Sequence, residues 1–292
     1  MNNRIFTALL LLFLIIASPC YAQKIRVIAS ISPLADFVNQ VGGDKVDVKL
    51  LLPPGASPHV YEPTPKAVKD ISDAAIFVKI GAGLEFWAEK IVSSSGNKRL
   101  IIVDSSYGVP LIEGHEPHHE HGASDTDPHI WLDPVIAGAI VTKIGKALSE
   151  ADPKNALFYT KNASLYKEKL SRLDREIADR VKTFRTKEYV TFHSAWNYFS
   201  KRYGLKVVGV IEESPGKEPG PRHLARIIRE IKRLGSRVVF VEPQFNPKIA
   251  EVIAKEGNAK VVSLDPIGGQ KGRETYIDLM RYNITAMENV MK

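Results

Sequence analysis

Cysteine is almost absent from this chain of 292 residues, and the only one, Cys20, lies near the amino terminus. The chain also has only one long apolar run, IFTALLLLFLIIA, which follows the basic MNNR and precedes the turn-prone SPCYA. This pattern is typical of a secretory signal peptide. The apolar run is too short for a membrane-spanning helix, which needs about 20 residues. We therefore expect cleavage after Ala22, export from the cytoplasm and a mature chain that is not embedded in a membrane.

Cleavage there would remove the only cysteine, so the mature chain could form no disulfide even in an oxidising compartment. A lipid anchor on Cys20 is the alternative, but Pro19 stands where that processing requires a small residue. Stability must then come from a hydrophobic core or a bound ligand. The roughly 270 mature residues are enough for two domains of ordinary size.

Positively charged residues only slightly outnumber negatively charged ones. Lys and Arg number 40 against 33 for Asp and Glu, and the signal carries only Arg4, so the mature chain has a net charge of +6. The most basic stretch, RHLARIIREIKRLGSR, also has apolar residues at helical spacing, at Leu224, Ile227, Ile228, Ile231 and Leu234. Its charges are therefore interpreted as the solvated face of an amphipathic helix. We expect no nucleic-acid partner.

Short β-branched runs alternate with longer amphipathic runs, and this pattern occurs twice. The first half contains the predicted strands IRVIASI, VDVKLLL, AIFVKIG and RLIIVD, and the second half contains YVTFH, KVVGVI, RVVFVEP and KVVSLDP. Strands that alternate with helices favour parallel pairing. The sequence therefore predicts an α/β fold of two (β/α)4-type lobes, each with a mainly parallel sheet.

One long helix is predicted between the lobes. Asp152 and Pro153 are a suitable cap and first residue, and an apolar stripe follows at Tyr166, Leu170, Leu173, Ile177, Val181 and Phe184. A helical connector is stiff and limits how far the lobes can separate. The predicted division is a signal peptide (1–22), an amino-terminal lobe (23–151), a connecting helix (152–185) and a carboxy-terminal lobe (186–292).

Four potential metal ligands follow predicted strands. His59 and His129 follow the second and fourth strands of the first lobe, and His193 and Asp265 follow the first and fourth of the second. Open α/β sheets place their ligands at this edge, so a shared site would lie in the cleft between the lobes. Three imidazoles and a carboxylate suit tetrahedral Zn²⁺. Because imidazoles must be neutral to bind, affinity is expected to fall as the pH drops through about 6.5.

Each residue has an ordinary structural interpretation as well. A single histidine at a strand end is more often a half-buried, hydrogen-bonded residue than a ligand, so the metal hypothesis depends on all four together. Asp133 is predicted to cap the next helix rather than to support a ligand. His223, in the first turn of the basic helix, is predicted to be a surface residue.

Four ordered motifs make the set recognisable: SPHVYEPTPKAVKDISDAAIFVKIGAGLEFW, DPHIWLDP, TFHSAWNYFSKRYGL and VVSLDPIGG. Together they resemble the metal-binding solute receptors of zinc and manganese ABC importers. The resemblance implies two lobes joined by a backbone helix, a metal held between them by His59, His129, His193 and Asp265, and delivery to a membrane permease driven by a cytoplasmic ATPase. It also implies zinc, since manganese members usually have glutamate where this chain has His193. We expect a monomer.

A second group of histidines lies in GHEPHHEHG, at His115, His118, His119 and His121. It resembles the acidic, histidine-rich loop of many zinc receptors, and we expect it to bind additional zinc loosely, because no secondary structure pre-orders its ligands. A plain solvated loop is the alternative.

Three other functions compete with zinc capture. Manganese or iron delivery would use the same fold. A zinc hydrolase could also use three histidines, but Asp265 would close the metal shell and leave no position for a substrate. Motifs of other enzyme classes are also missing from the sequence: no GxSxG elbow occurs, and GAGLEF lacks the third glycine of a dinucleotide loop. We therefore predict that the protein is not an enzyme. An adhesin role has no motif in the sequence to indicate it.

Overall fold

The structure is a computed structural model, and it describes four segments of the chain: residues 24–113, 126–212, 219–234 and 237–292. The predicted signal peptide and the four clustered histidines lie outside these segments. Within them, no helix combines the length and apolar character needed to cross a membrane.

Two four-stranded parallel sheets form the framework. The first contains β1 (Ile25–Ala29), β2 (Val46–Leu50), β3 (Ile76–Lys79) and β4 (Ile101–Asp104) in the order β2-β1-β3-β4. The second contains β5 (Glu188–Thr191), β6 (Lys206–Val210), β7 (Val238–Val241) and β8 (Lys260–Ser263) in the equivalent order β6-β5-β7-β8. The predicted α/β fold with two parallel sheets is confirmed. We call each sheet with its helices a lobe.

Helices connect and cover the strands. Those of the first lobe are α1 (Ser32–Gly42), α2 (Pro65–Ser72), α3 (Ala88–Ser95) and α4 (Pro134–Ala151). The long α5 (Ala156–Lys182) follows, and the second lobe contains α6 (Asn197–Tyr203), α7 (Pro221–Arg233), α8 (Lys248–Gly257) and α9 (Tyr276–Met291). The domain boundaries at residues 151 and 186 stay predictions.

Strand residues alternate between two cores. In β1, Val27 and Ala29 belong to a large core that also includes α5 residues such as Leu170, whereas Ile28 faces a smaller core under α2 and α3. This alternation follows from the two-residue period of a strand. The large core continues into the second sheet at Phe240. One apolar interior therefore joins both lobes.

The connecting helix α5 carries the predicted apolar stripe as far as Val181, but it ends at Lys182, so the last predicted stripe residue, Phe184, lies beyond it. Its buried residues are Tyr159, Ala163, Tyr166, Leu170, Leu173, Ile177 and Val181, at intervals of three or four. The helix begins at Ala156, later than predicted, because a short 3-10 helix, Pro153–Asn155, comes first. The Asp152 carboxylate accepts hydrogen bonds from Asn155 Nδ2 and Tyr159 Oη there.

Hydrogen bonds across the cleft fix the lobes relative to each other. Trp131 of the first lobe donates from Nε1 to the carbonyl of Pro266 at 2.7 Å, and its own carbonyl accepts from Tyr276 Oη at 2.6 Å. Tyr198 donates from its hydroxyl to the carbonyl of Asp127 at 3.0 Å. These groups are buried, where an unmade hydrogen bond is costly. The contacts therefore hold the segments on both sides of the cleft in register.

Three local predictions can be checked directly. Asp133 caps α4 as predicted, with its carboxylate accepting from the backbone N–H of Val135 at 2.7 Å. The basic helix α7 is amphipathic as predicted, with Ile227 and Ile231 buried. The prediction for His223 is wrong, because the side chain is half-buried and its Nε2 lies 2.8 Å from the carbonyl oxygen of Val210.

The packing of α5 generates a first prediction. Leu170 is 1% exposed and Leu165, on the same helix, is 46% exposed. Leu170→Ala should lower the free energy of unfolding by about 2 to 5 kcal/mol, because it leaves a cavity in the core shared by both lobes. The matched variant Leu165→Ala should cost about 1 kcal/mol or less. Urea unfolding followed by circular dichroism measures both, and equal losses would contradict this description of the core.

Candidate metal centre

The three predicted histidine ligands lie in connections that follow strands of the two sheets. His59 is the middle residue of a 3-10 helix, Pro58–Val60, in the connection after β2. His129 immediately precedes a second 3-10 helix, Ile130–Leu132, and His193 lies two residues after β5. Such short turns at the carboxyl ends of parallel strands direct side chains into the cleft between the lobes.

The imidazoles converge through their Nε2 atoms. The Nε2 atom of His129 lies 3.2 Å from that of His59 and 3.3 Å from that of His193. Ligand nitrogens at 2.0–2.1 Å in a tetrahedral zinc shell are about 3.3 Å apart. The three residues each offer a ligand atom, and these atoms lie within 4.8 Å of one another. The spacing is therefore that of nitrogen atoms arranged around one cation.

Two buried carboxylates stand behind the imidazoles. Asp127 Oδ1 lies 2.7 Å from Nδ1 of His129 and also accepts the backbone N–H of that residue. Glu242 Oε1 lies 3.1 Å from Nδ1 of His193. A carboxylate on the far nitrogen fixes the tautomer and the ring orientation of a metal-binding histidine and makes it a better donor. The arrangement therefore presents the Nε2 lone pairs to the cleft.

The supporting carboxylates are themselves held in place. Asp127 Oδ2 accepts from Asn197 Nδ2 at 3.0 Å. Glu242 Oε1 accepts from Trp196 Nε1 at 3.3 Å and from Thr191 Oγ1 at 3.4 Å. Sequence reasoning missed both carboxylates. Each has a weak signal, since Asp127 lies two residues before His129 and Glu242 directly follows the buried strand β7.

Burial and charge affect the three histidines differently. Burial, with repulsion from the other two imidazoles, holds the pKa of His59 well below its ordinary 6.5. Burial also lowers the pKa of His129, although Asp127 opposes this. For His193 burial again lowers the pKa, but the combined attraction of Glu242, Asp127 and Glu212 outweighs it, so the net shift of the pKa is upward. His193 is therefore the first of the three to accept a proton as the pH falls.

Asp265, the fourth predicted ligand, lies two residues after β8 and is 1% exposed. Its Oδ1 accepts the backbone N–H groups of Ile267 and Gly268, both at 2.9 Å, and its Oδ2 lies 3.0 Å from Arg273 Nη1. Among the described residues, the ligand atoms that lie within 4.8 Å of one another belong to the three histidines, and Asp265 is not part of this group. The carboxylate is thus engaged by protein groups in this conformation.

A small cavity opens directly on the imidazoles. Its walls combine the three histidines with mostly apolar neighbours, Pro58, Trp131, Phe245, Pro266 and Ile267, and with the side chains of Ser57 and Gln244. The enclosed space is about that of one water molecule, which is enough for a single ion.

Comparison with known proteins assigns the chain to a family. A family model described as the zinc-uptake complex component A, periplasmic, matches residues 27–290. The chain belongs to this family. Among individual relatives, the high-affinity zinc uptake system protein ZnuA of Bacillus subtilis is 35% identical over 279 residues, which cover 91% of this chain and 88% of the relative. The zinc-binding lipoprotein AdcA of Streptococcus pneumoniae is 32% identical, and the match spans only 55% of AdcA.

Solved structures of similar proteins share the fold. A zinc-bound deletion mutant of ZnuA superposes with a TM-score of 0.82 at 31% identity, covering 92% of this chain and 99% of that one. The laminin-binding protein Lmb of Streptococcus agalactiae, described as having adhesin and metal-transporting activity, gives 0.82 at 34% identity and covers 92% of this chain and all of that one. The two-lobe architecture is therefore that of the zinc-uptake receptors.

The Glu242–His193 pair generates a prediction about pH. Metal binding requires neutral imidazoles, so affinity should decline as the pH falls through the raised pKa of His193. Glu242→Gln keeps the shape of the side chain but removes the charge that raises this pKa. The decline should then begin at a lower pH, and affinity at neutral pH should fall about 10- to 100-fold.

Metal titration calorimetry between pH 5 and 8 would measure this shift. Glu251→Gln, a change at an exposed position on α8, is the matched control and should reproduce the parent curve. A pH profile of Glu242→Gln that coincides with the parent would contradict the role of this pair.

Proposed function

We propose that the protein captures Zn²⁺ outside the cytoplasm and delivers it to the membrane permease of an ABC importer. The observation that carries this proposal is the convergence of three imidazole nitrogens. The Nε2 atom of His129 lies 3.2 Å from that of His59 and 3.3 Å from that of His193. Family membership supports the same conclusion, since the matching family is named for zinc uptake.

The donor set supports zinc over manganese. Three imidazole nitrogens suit zinc, copper, iron and nickel, whereas manganese favours sites richer in oxygen. Manganese or Fe²⁺ delivery by the same fold stays the alternative. Titrating the zinc-loaded protein with Mn²⁺ tests it, and displacement of zinc at comparable concentrations would overturn the choice of cargo.

Asp265 stays a predicted oxygen ligand. To reach a cation it would have to leave Arg273 and the two backbone N–H groups that its carboxylate now accepts. Arg273 is itself largely buried, with 14% of its side chain exposed. Separating this pair would leave a buried charge without a partner, which is strongly unfavourable.

A zinc hydrolase fits the molecule less well than a carrier. The enclosed space beside the imidazoles matches a single ion. HEPHH, at residues 115–119, has the spacing of the HExxH protease motif, but Pro117 inside it disfavours the helix on which that motif depends. A binding role, with no chemical step, accounts for the site more simply.

The remaining parts of the proposal concern location and partners. The amino-terminal pattern ending at Ala22 supports export to the periplasm through a cleavable signal peptide. The partner is then a membrane permease with its cytoplasmic ATPase, and the receptor acts as a monomer of two lobes joined by the helix predicted over residues 152–185. We expect no nucleic-acid partner. The apolar face of α7 packs against the protein, and its basic residues form the opposite, solvated face of an ordinary amphipathic helix.

Replacing a histidine of the cluster tests zinc capture. His193→Ala should weaken zinc binding by at least about 100-fold, because it removes one of three nitrogen donors. His223→Ala, a histidine on α7 outside the cluster, is the control and should bind zinc as the parent does. Competition with a fluorescent chelator gives the affinities, and zinc uptake by cells carrying each variant tests delivery. Unchanged affinity in His193→Ala would contradict the proposed site.

The histidine-rich stretch is proposed to collect zinc loosely before transfer to the cleft. Deleting residues 115–121 should remove weak binding events and leave the tightest one intact, because the cleft ligands do not belong to that stretch. Calorimetric zinc titration of the deletion variant measures this. Loss of the tightest event would show that the two sites are ranked wrongly.

A further inference from the structure

Residues 127–131, which contain His129, belong to the first lobe by sequence but are bonded mainly to the second lobe. We call them the His129 segment. At its start, Tyr198 of α6 donates from its hydroxyl to the carbonyl of Asp127 at 3.0 Å. Asn197, also on α6, donates from Nδ2 to Asp127 Oδ2 at 3.0 Å. One helix of the second lobe therefore binds both the backbone and the carboxylate of Asp127.

The other end of the His129 segment is bonded to the second lobe as well. Trp131, which is fully buried, donates from Nε1 to the carbonyl of Pro266 at 2.7 Å, and its carbonyl accepts from Tyr276 Oη at 2.6 Å. Tyr276 is fixed in turn, because its backbone N–H donates to Asp36 Oδ2 at 2.9 Å. The segment is thus attached to the second lobe on both sides of His129.

Its attachment to the rest of the first lobe is weaker. The backbone N–H of Asp127 donates to the carbonyl of Ile112 at 2.9 Å. Ile112 is itself bonded to the second lobe, since its N–H donates to the Tyr198 hydroxyl at 2.9 Å. After Trp131 the chain continues through the cap at Asp133 into α4. The buried polar groups of the segment are therefore satisfied chiefly across the cleft.

His59 has no comparable attachment. It is half-buried, whereas His129 and His193 are each only 4% exposed. Among the residues that the structure describes, the sole hydrogen-bonding neighbour of its imidazole is Nε2 of His129, at 3.2 Å. Within the same set, no hydrogen bond joins residues 51–64, the connection between β2 and α2, to the second lobe. His59 can therefore move without loss of buried hydrogen bonds.

We propose that Tyr198 and Tyr276 are positioning residues that fix His129 to the second lobe. The zinc shell then opens when His59 moves away, while His129 and His193 stay together. This inference rests on the proposed function, since it requires zinc to bind at the three imidazoles.

The cost of leaving buried polar groups unpaired sets this route. Moving His129 away from His193 would separate Trp131 from Pro266 and Asp127 from Tyr198, and each broken bond would leave a buried donor or acceptor without a partner. Moving the connection that carries His59 breaks no such bond. Zinc release is therefore stepwise, and the nitrogen of His59 leaves the ion first.

Hydrogen–deuterium exchange of the parent protein, with zinc bound and after removal of zinc by a chelator, tests which side moves. Removal should accelerate backbone exchange in residues 55–61 by about tenfold or more, because this connection loses its one fixed point. Exchange in residues 129–132 should change by less than about twofold. Equal or greater acceleration in residues 129–132 would overturn the proposal, and so would an unchanged rate in residues 55–61.

Two conservative variants test the positioning residues. Tyr198→Phe and Tyr276→Phe keep the ring and remove the hydroxyl. In each, exchange in residues 129–132 should become sensitive to zinc removal, and the rate of zinc dissociation into a chelator should rise about tenfold, as expected for the loss of one buried hydrogen bond. Parent-like dissociation rates and exchange in both variants would overturn the proposal.

Tyr189→Phe is the matched control. Tyr189 is a buried tyrosine of the same lobe, and its hydroxyl lies 2.7 Å from Ser200 Oγ, away from the His129 segment. The control should lose comparable stability in urea but release zinc at the parent rate. An equal rise in the dissociation rate of Tyr189→Phe would show that stability alone controls release and would overturn the proposal. Failure of the parent to bind zinc would instead overturn the proposed function, so the two failures are distinguishable.

Discussion

Two carboxylate–imidazole pairs are the interaction on which the site depends. Asp127 and Glu242 are almost fully buried, at 4% and 1% exposure, which would be costly for isolated charges. Hydrogen-bond donors from Asn197 and Trp196 compensate part of that cost. A cation held by the imidazoles would compensate more of it, because it withdraws electron density from the rings and makes their Nδ1–H groups stronger donors to the carboxylates. The negative charge placed behind the ligands is thus both a means of orienting them and a reason for the site to attract a divalent ion.

The lobes supply these groups from both sides of the cleft, so the site requires them to stay in register. Trp131 and Tyr276 hydrogen-bond across the cleft, and the core that includes α5 continues into both sheets. This construction favours small movements of loops around the metal over a wide hinge opening. Gly269 supports the same conclusion. Its φ is +76°, and a Cβ atom there would lie only 2.5 Å from Ser32 Oγ of the other lobe. The absence of a side chain at this position therefore allows the lobes to approach each other closely.

The sequence predicted the framework well, because periodicity reports which face of an element is buried. Eight strands, the long apolar stripe of α5 and the cap at Asp133 all follow from local patterns. The convergence of His59, His129 and His193 was predictable because parallel strands end at a common edge. The support from Glu242 and the ion pair of Asp265 with Arg273 were not predictable, since they depend on which side chains meet across turns. The half-buried position of His223 was missed for the same reason.

Anomalous diffraction at the zinc edge, from crystals of the zinc-loaded protein, tests the central claim most directly. The account predicts a dominant zinc peak about 2.0 to 2.1 Å from the Nε2 atoms of His59, His129 and His193, with Asp127 hydrogen-bonded to Nδ1 of His129 and Glu242 next to Nδ1 of His193. A dominant peak anywhere else, or one that contacts fewer than three of these nitrogens, would contradict it.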